Sequence, residues 1–264
     1  MESVTCDLHI HTNLSSCGDN SATAASCLEA AEKQGLKTLG FADHCWASQL
    51  PGESPWYRGQ DIEHVLKIEE QIPDNTRGIR VLKGCETEYI GNGISGLNKE
   101  LSKIFDFVWL PANHFHQKGF VVPENLEAGG AKAVSELLYR RFMEVTELGF
   151  GAGIVHPFVP LGFLEWEADI LKGITDAQYE TCFKAAASAG LAIEINSYTA
   201  ECKTSPSENG FSALYLKIHT MARDCGCKFF FGSDAHHPGK ICGYDRMAKF
   251  AEVCGIDNSS LLSL

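Results

Sequence analysis

The 264-residue chain carries 22 basic and 34 acidic side chains, and its formal net charge is −12. With 44% hydrophobic and 21% charged residues it has the composition of a globular protein with a sizeable core, which excludes an intrinsically disordered chain. The acidic balance and the lack of any Lys/Arg run argue against a nucleic-acid-binding surface, which normally presents a basic patch. We expect a single domain over residues 1–264, because one α/β barrel commonly takes about 250 residues.

The N-terminus shows no basic segment followed by an apolar core, and no apolar run approaches the ~18 residues of a membrane span. The eleven cysteines are scattered and form no Cys-x-x-Cys pair, which predicts reduced thiols in a reducing compartment. We therefore expect a cytoplasmic protein without a membrane partner. The sequence leaves its oligomeric state open.

In chain order, short apolar runs alternate with longer helical patterns, which is typical of strand–helix units around a parallel sheet. Seven strands are predicted, over 5–11, 38–43, 79–87, 105–112, 151–156, 192–196 and 228–233. Helices are predicted over 23–34, 61–71, a short stretch ending near 103, 132–148, 176–189, 207–225 and 244–254. Long loops over 45–59 and 117–130 follow the second and fourth strands, and loops of this length are usually functional.

The first predicted strand contains the run Asp7-Leu8-His9-Ile10-His11. Residues two apart on a strand point to the same face, so His9 and His11 should project side by side. Leu8 and Ile10 should pack behind them. Two imidazoles on one face are suitable ligands for zinc, iron or manganese. A surface strand with two exposed histidines is the alternative at this point.

Nearly every later strand also finishes with residues that are acidic or can bind a metal. In chain order these are Asp43 and His44, Glu86 and Glu88, His114 and His116, His156, Glu194 and Asn196, and Asp234 and His236. Any one of them could simply cap a helix, but the C-terminal strand ends of a parallel barrel converge on the face that carries active sites. So many imidazoles and carboxylates in one crevice are stable when cations compensate the charge. The set exceeds what one tetrahedral ion uses, so we predict two or three ions, with Glu86 as a candidate bridge.

Seven segments, which occur in the same order as in the family, resemble the motifs of the polymerase and histidinol phosphatase (PHP) family. They are DLHIHT (7–12), ADH (42–44), GCE (84–86), NH (113–114), HP (156–157), EIN (194–196) and GSDAH (232–236). The resemblance implies a distorted (β/α)7 TIM-like barrel with a di- or trinuclear centre of zinc, manganese or iron, and hydrolysis of phosphate esters. It places one ion at His9, His11, Glu86 and Asp234, a second at Glu86, His114 and His156, and a third at His44, His236 and one residue of the turn after the first strand.

That last ligand is ambiguous in this sequence. Family members often present Asp or His five or six positions beyond the second His of the motif, where this chain has Ser16 and Cys17, with Asp19 two further on. Either Cys17 or Asp19 could serve. A thiolate would favour zinc or iron, whereas a carboxylate would also suit manganese. We favour Asp19, with Gly18 allowing the turn to flex and bring the carboxylate in.

The expected mechanism is attack by a metal-bridging hydroxide, since bound ions lower the pKa of water from about 15.7 to near 7. The predicted catalytic residues are Glu86, Asp234 and His236, with Asp234 or His236 protonating the leaving alkoxide. Side chains on loops of the same face could contact the phosphate. The predicted substrate-binding residues are Arg58, His116, Lys118, Asn196, Lys203 and His237.

The expected substrate is a small phosphate ester, with histidinol phosphate and nucleotides as the candidates that the resemblance implies. Whether it is a monoester or a diester stays open. One alternative is an amidohydrolase-type barrel that cleaves a C–N bond, although the characteristic metal-bridging lysine is not evident and Glu86 occupies a suitable bridging place. A metal-binding module without catalytic activity is the other alternative.

Overall fold

The structure, a computed structural model, describes residues 4–264. Its strands are Cys6–Ile10 (β1), Thr38–Phe41 (β2), His44–Cys45 (β3), Arg80–Lys83 (β4), Cys85–Thr87 (β5), Tyr89–Gly91 (β6), Ile94–Ser95 (β7), Val108–Pro111 (β8), Gly153–Val155 (β9), Ala192–Asn196 (β10) and Phe229–Gly232 (β11). Its α-helices are Ala24–Lys33 (α1), Ile62–Val65 (α2), Ile68–Gln71 (α3), Gly130–Thr146 (α4), Glu167–Gly173 (α5), Asp176–Ala189 (α6), Ser197–Glu201 (α7), Ala213–Asp224 (α8) and Tyr244–Val253 (α9).

Parallel pairing sets the order of the strands. β1 pairs with β2 and β2 with β4, while β3, β5, β8, β9, β10 and β11 are hydrogen-bonded in that order. The other two strands, β6 and β7, form a small antiparallel hairpin that is not among the predicted strands. Helices connect most successive parallel strands, as parallel pairing requires. The predicted α/β class is therefore confirmed.

Two of the predicted strands are interrupted. The strand predicted over 38–43 ends at Phe41 and a separate strand, β3, begins at His44, while the strand predicted over 79–87 divides into β4 and β5 at Gly84. A Cβ atom on Gly84 would overlap the ring of Phe107, so only glycine lets the backbone pass this side chain. Beyond the interruptions, β3 and β5 pair in a register that sets His44 beside Glu86. The breaks thus place two candidate ligands on neighbouring strands.

The first and the last parallel strands meet at the same end of the sheet. The backbone N–H of Asp234 donates to the carbonyl of His9 (2.8 Å). The backbone N–H of His11 donates to the carbonyl of Ala235 (2.9 Å). These bonds bring the ends of β11 and β1 side by side, as closure of a barrel requires.

The apolar core consists of two clusters. The larger one joins the helices to the strands. The smaller one contains a residue from nearly every parallel strand and so lies inside the ring: Leu8, Ala42, Leu82, Phe107, Trp109, Val155, Ala192 and Phe230. Within it the rings of Trp109 and Phe230 stack with centroids 3.9 Å apart, and the Trp109 indole N–H donates to the Leu8 carbonyl (2.6 Å). The centre of the barrel is therefore packed.

The first strand departs from simple alternation. Its pairing with β2 shifts register between Asp7 and Ile10. Leu8 consequently belongs to the smaller cluster and Ile10 to the larger one. The expectation that both pack together behind the histidines is wrong, because an irregularity in the strand changes which residues share a face.

Several predicted helices also differ from the observed ones. The helix predicted over 61–71 is divided into α2 and α3, and the one predicted over 207–225 begins only at Ala213. Gly210 has a left-handed backbone (φ 75°), which prevents an earlier start. The helices α5 and α7 are not predicted from the sequence. Within residues 4–264 we find no helix with the length and apolar character needed to span a membrane.

Candidate metal centre

The ends of β1 and β11 bring the first candidate ligands together. The Nε2 atoms of His9 and His11 are 3.1 Å apart. Asp234 Oδ1 lies 3.2 Å from the His11 nitrogen and 3.6 Å from the His9 nitrogen. Both histidines are completely buried, whereas the Asp234 side chain is 30% exposed. These three ligand atoms form a group that can hold one divalent ion.

Glu86 lies on β5 between two sets of imidazoles. Its Oε2 atom is 3.4 Å from Nε2 of His9 and 3.3 Å from Nε2 of His11. Its Oε1 atom is 3.3 Å from Nε2 of His114 and 3.2 Å from Nε2 of His156. The carboxylate is buried, and each of its oxygens faces a different pair of rings. This is the arrangement that a bridge between two ions requires.

A further set of donors lies nearer the surface. The Cys17 sulfur and ring nitrogens of His11, His44 and His236 all lie within 4.8 Å of one another. The buried Nδ1 atom of His44 makes no hydrogen bond and lies 3.4 Å from Glu86 Oε2, so its lone pair is available to a bound cation. Below, the outer group denotes Cys17, His44 and His236, and the inner group denotes His9, His11, Glu86, His114, His156 and Asp234.

Asp19, which we favoured from the sequence, does not reach the outer group. It is exposed, and its Oδ1 atom accepts hydrogen bonds from the N–H (2.8 Å) and the hydroxyl (2.5 Å) of Ser21. Gly18 is not a flexible point either. A Cβ atom there would overlap the carbonyl of Thr12, so glycine is needed for close packing. The structure brings Cys17, and not Asp19, to the three imidazoles.

Three inner histidines are each oriented by a partner on their second ring nitrogen. His9 Nδ1 is 2.7 Å from Glu194 Oε1, and His114 Nδ1 is 2.6 Å from Glu88 Oε2. His156 Nδ1 is 2.8 Å from the Asn113 side-chain oxygen. Because each partner is an acceptor, Nδ1 carries a proton, and Nε2, which faces the centre of the cluster, is the atom that would bind an ion.

These orienting partners are the part of the site that the sequence argument missed. Glu88, Asn113 and Glu194 were noted at strand ends or in motifs, but no role was assigned to them. A signal exists for two of them, because Glu88 and Glu194 each lie two residues from another strand-end polar residue and therefore point to the same side of the strand. Asn113 has no such signal, since it precedes His114 directly.

Two candidate ligands have a left-handed backbone. His156 has a φ of 32° and follows β9 directly, and Asp234 has a φ of 55° and lies two residues past the end of β11. Such conformations cost a non-glycine residue on the order of 1–3 kcal/mol and occur most often at functional sites. At both positions the chain turns sharply, which directs the side chain back towards the cluster.

The electrostatics of the inner group favour positive charge. Burial lowers the pKa of His9, but Glu194 and Asp234 outweigh this effect and hold the pKa well above its usual value. For His11, hydrogen bonds to Asp234 and Glu86 likewise outweigh burial and raise the pKa to about 9. Burial would raise the pKa of Glu86, yet the surrounding imidazoles lower it well below its usual range. An ionised carboxylate among imidazole donors is a chemically suitable environment for divalent cations.

Two cavities adjoin the cluster and contain most of the predicted substrate-binding residues. The first, here the Trp56 cavity, measures about 470 Å³ and is lined by Cys17, by residues 54–56 and 116–118, and by Phe120. The second, here the Tyr198 cavity, measures about 530 Å³ and contains residues 196–198, Glu201, Asp234, His236 and His237. His116 and Lys118 therefore lie on one side of the cluster, and Asn196 and His237 on the other.

The other predicted substrate-binding residues are placed differently. Arg58 and Lys203 are exposed and line neither of these two cavities. The amide of Asn196 is occupied, because it donates to Glu194 (3.1 Å) and accepts from the N–H of Tyr198 (2.8 Å) at the start of α7. Asn196 thus supports the local backbone.

A comparison with protein-family models matches residues 7–198 to the PHP domain. Among named proteins, the chain is 25% identical over 253 residues to the "Probable phosphatase" of Syntrophotalea carbinolica, an alignment that covers 95% of this chain and 88% of that protein. It is 26% identical over 242 residues to the "Probable histidinol-phosphatase" of Deinococcus radiodurans, which covers 89% of this chain and 88% of that protein.

Among solved structures, the chain is similar to the histidinol phosphate phosphatase of Lactococcus lactis, determined with zinc, L-histidinol and phosphate. The TM-score is 0.66 at 15% identity, with 96% of this chain and 94% of that chain covered. At this identity the likeness concerns the fold. Together with the family match it confirms the predicted TIM-like α/β class.

Proposed function

The chain belongs to the PHP domain family, and from this premise we propose that it is a metal-dependent phosphatase that hydrolyses small phosphate esters. The names of the relatives from Syntrophotalea carbinolica and Deinococcus radiodurans support a phosphatase activity. The observation that carries the proposal is the position of Glu86, whose two oxygens each face a different pair of imidazoles.

In this proposal the inner group would hold two ions that share Glu86. One would be held by His9, His11, Glu86 and Asp234, and the other by Glu86, His114 and His156. A third would be held by the outer group, Cys17, His44 and His236, whose donor atoms lie beside His11. The imidazole and thiolate donors suit zinc or iron, and the carboxylates also suit manganese.

When bound, such ions polarise phosphoryl oxygens and lower the pKa of water from about 15.7 to about 7. The protein itself orients the inner imidazoles through Glu88, Asn113 and Glu194, so that their Nε2 lone pairs point inward. Burial of the cluster also keeps bulk water away from these groups, which strengthens every electrostatic interaction made there.

We assign the proton for the leaving alkoxide to His236 rather than to Asp234. Burial raises the pKa of Asp234, but His9 and His11 lower it far below the usual value, so the carboxylate stays ionised and has no proton to give. Burial and the neighbouring His11 lower the pKa of His236, but its ring stays more basic than Asp234, is 36% exposed and lines the Tyr198 cavity. Its Nδ1 faces the Asp234 carbonyl (2.8 Å), so Nε2 is left either to hold an ion or to carry the proton, and these two roles of His236 are alternatives.

His116 and Lys118 on one side and His237 on the other are proposed contacts to the substrate. Arg58 and Lys203 stay predictions from the sequence, and an unchanged KM in Arg58→Ala would remove Arg58 from the set. We further propose that the chain works as one domain in the cytoplasm. All eleven cysteines are free thiols, which suits a reducing compartment.

The deciding experiment combines metal analysis of the purified protein with a screen of phosphomonoesters, phosphodiesters and acylated amines. We expect two or three equivalents of metal and turnover of phosphomonoesters that chelation abolishes and metal restores. Turnover of acylated amines alone would replace the proposal with an amidohydrolase. Full metal occupancy without turnover of any class would indicate a metal-binding module instead.

A further inference from the structure

We infer that the Trp56 cavity binds the leaving group of the substrate, and that this group is aromatic and lacks an ammonium group. The inference rests on the proposed phosphatase function and adds the class of alcohol that carries the phosphate. Trp56 is the residue to which we assign the specificity for this leaving group.

The Trp56 cavity opens directly onto the cluster. Cys17 belongs both to the outer group and to the cavity wall. The Trp56 ring lies edge-on to the His44 ring, with centroids 5.0 Å apart. His116 also lines the cavity, and its ring is 5.4 Å from the ring of His114. A phosphate held at the cluster would therefore have this cavity beside it for one of its substituents.

Trp56 is placed to contact such a substituent. It is the one aromatic residue among the four large hydrophobic side chains that are exposed in residues 4–264. Its neighbour Tyr57 is completely buried and meets the Trp56 ring edge-on at 4.7 Å, which holds the indole from behind. A partly exposed indole that is fixed by packing offers an aromatic face or edge without loss of side-chain entropy.

The charges around the Trp56 cavity select against an ammonium group. None of the described residues that line it is a carboxylate, and its one charged side chain, Lys118, pairs with Glu127 (3.1 Å). An ammonium group that enters this cavity would lose part of its hydration, and no lining carboxylate would offer it a counter-charge.

The Tyr198 cavity differs in having an acidic lining residue outside the metal cluster. Glu201 lines it together with Lys240, whereas Asp234, which also lines it, belongs to the inner group. An amino alcohol esterified to the phosphate would find its counter-charge on that side. The two cavities therefore predict different substrates, and Glu201→Gln provides a matched control for substitutions of Trp56.

The test uses the metal-loaded enzyme and three phosphonates, which bind but cannot be hydrolysed. They are 4-phenylbutylphosphonate, 4-cyclohexylbutylphosphonate and 3-amino-4-phenylbutylphosphonate, whose affinities are measured by calorimetry. We expect the phenyl compound to bind about tenfold more tightly than the cyclohexyl compound, because only the phenyl ring can make an aromatic contact with Trp56. We expect a similar preference over the amino compound, because its ammonium group would lose hydration without gaining a counter-charge. Trp56→Ala should abolish the preference for phenyl over cyclohexyl, Trp56→Phe should retain most of it, and Glu201→Gln should leave it unchanged.

Equal affinities for all three phosphonates, or the same loss for all three in Trp56→Ala, would overturn the inference. Tighter binding of the amino compound that Glu201→Gln removes would move the leaving group to the Tyr198 cavity. The corresponding phosphate esters are assayed in parallel. If the phenyl phosphonate binds selectively but no ester is hydrolysed, the proposed phosphatase function fails and the assignment of the cavity stands.

Discussion

The inner and outer groups of the candidate centre differ in how the fold holds their donor atoms. In the inner group, the rings of His9, His114 and His156 are each fixed through Nδ1 by a buried acceptor. In the outer group, the Asp234 carbonyl lies 2.8 Å from His236 Nδ1, but His44 Nδ1 makes no hydrogen bond and Cys17 is exposed on a loop. The inner group is therefore largely organised before an ion arrives, whereas Cys17 and His44 of the outer group are held less firmly.

One metal centre can therefore combine ion-binding positions that differ in their affinity for the metal. Ligands whose geometry is already fixed lose little entropy when an ion binds, which favours tight binding. A loop thiol has to be positioned and deprotonated first. Partial desolvation and the nearby carboxylates of Glu86 and Asp234 raise the pKa of the Cys17 thiol, which adds to the cost of deprotonation. Four predictions test the comparison.

The largest effect is expected for Glu86→Gln. The amide cannot bridge two cations as a carboxylate does, so both inner ions should be weakened together and activity should fall by more than about 100-fold. Metal content by mass spectrometry and turnover of the best phosphate ester are the measurements. Glu29→Gln, which changes an exposed carboxylate on α1, is the control and should behave as wild type. Near wild-type activity in Glu86→Gln would contradict the bridging role.

A smaller loss is expected for Glu194→Gln. His9 would keep a neutral acceptor on Nδ1 but would lose the negative charge that makes its Nε2 a stronger donor. Changes to such orienting partners typically lower metal affinity about 10- to 100-fold. Competition with a chelator measures this affinity. If the affinity is unchanged and only thermal stability falls, Glu194 supports the fold and does not tune the ligand.

Cys17→Ser should affect the outer group alone. We expect the loss of one equivalent of metal, while the two inner ions remain, and a smaller fall in activity than in Glu86→Gln. Asp19→Asn is the matched control on the same loop and should retain full metal content. A Co²⁺-loaded enzyme gives a second measurement, because thiolate coordination produces a charge-transfer absorption that Cys17→Ser should remove. Loss of an ion in Asp19→Asn instead would restore the assignment made from the sequence.

The smallest and most gradual expected effect is the change of metal affinity with pH. Below a pKa of about 9, His11 carries a proton that an incoming ion must displace. Metal affinity should therefore rise with pH and level off near pH 9, by up to about tenfold per pH unit for each proton released. Chelator competition at several pH values between 6.5 and 9 measures the slope. A flat profile would show that His11 is already neutral in the metal-free protein.

Much of the fold could be predicted because local signals agree with the final structure. The strand predicted over 192–196 and the helix predicted over 176–189 match β10 and α6 to the residue. What could not be predicted depends on contacts between distant segments. At the break between β4 and β5, Gly84 lies so close to the ring of Phe107 that no side chain fits there, and no periodicity within either segment records this contact.

In the candidate site, too, local patterns could be predicted and contacts between separate residues could not. The strand-end histidines and Glu86 could be found because parallel strands point their C-terminal ends the same way. The choice between Cys17 and Asp19 could not be made, because it depends on whether a glycine turn is flexible or packed. The structure places Gly18 against Thr12, and this contact between residues six apart leaves no trace in the spacing of the motif.

The hydrogen bonds that join Asp234 to His9 and His11 to Ala235 also bear on how the protein matures. Donors of the inner group come from residues 9 to 234, so no fragment that lacks the last strand can complete it. During synthesis the centre cannot assemble until nearly the whole chain has emerged. Ion uptake would then be one of the last events of folding, and an ion that binds only the folded chain would slow its unfolding and favour its folded state by mass action.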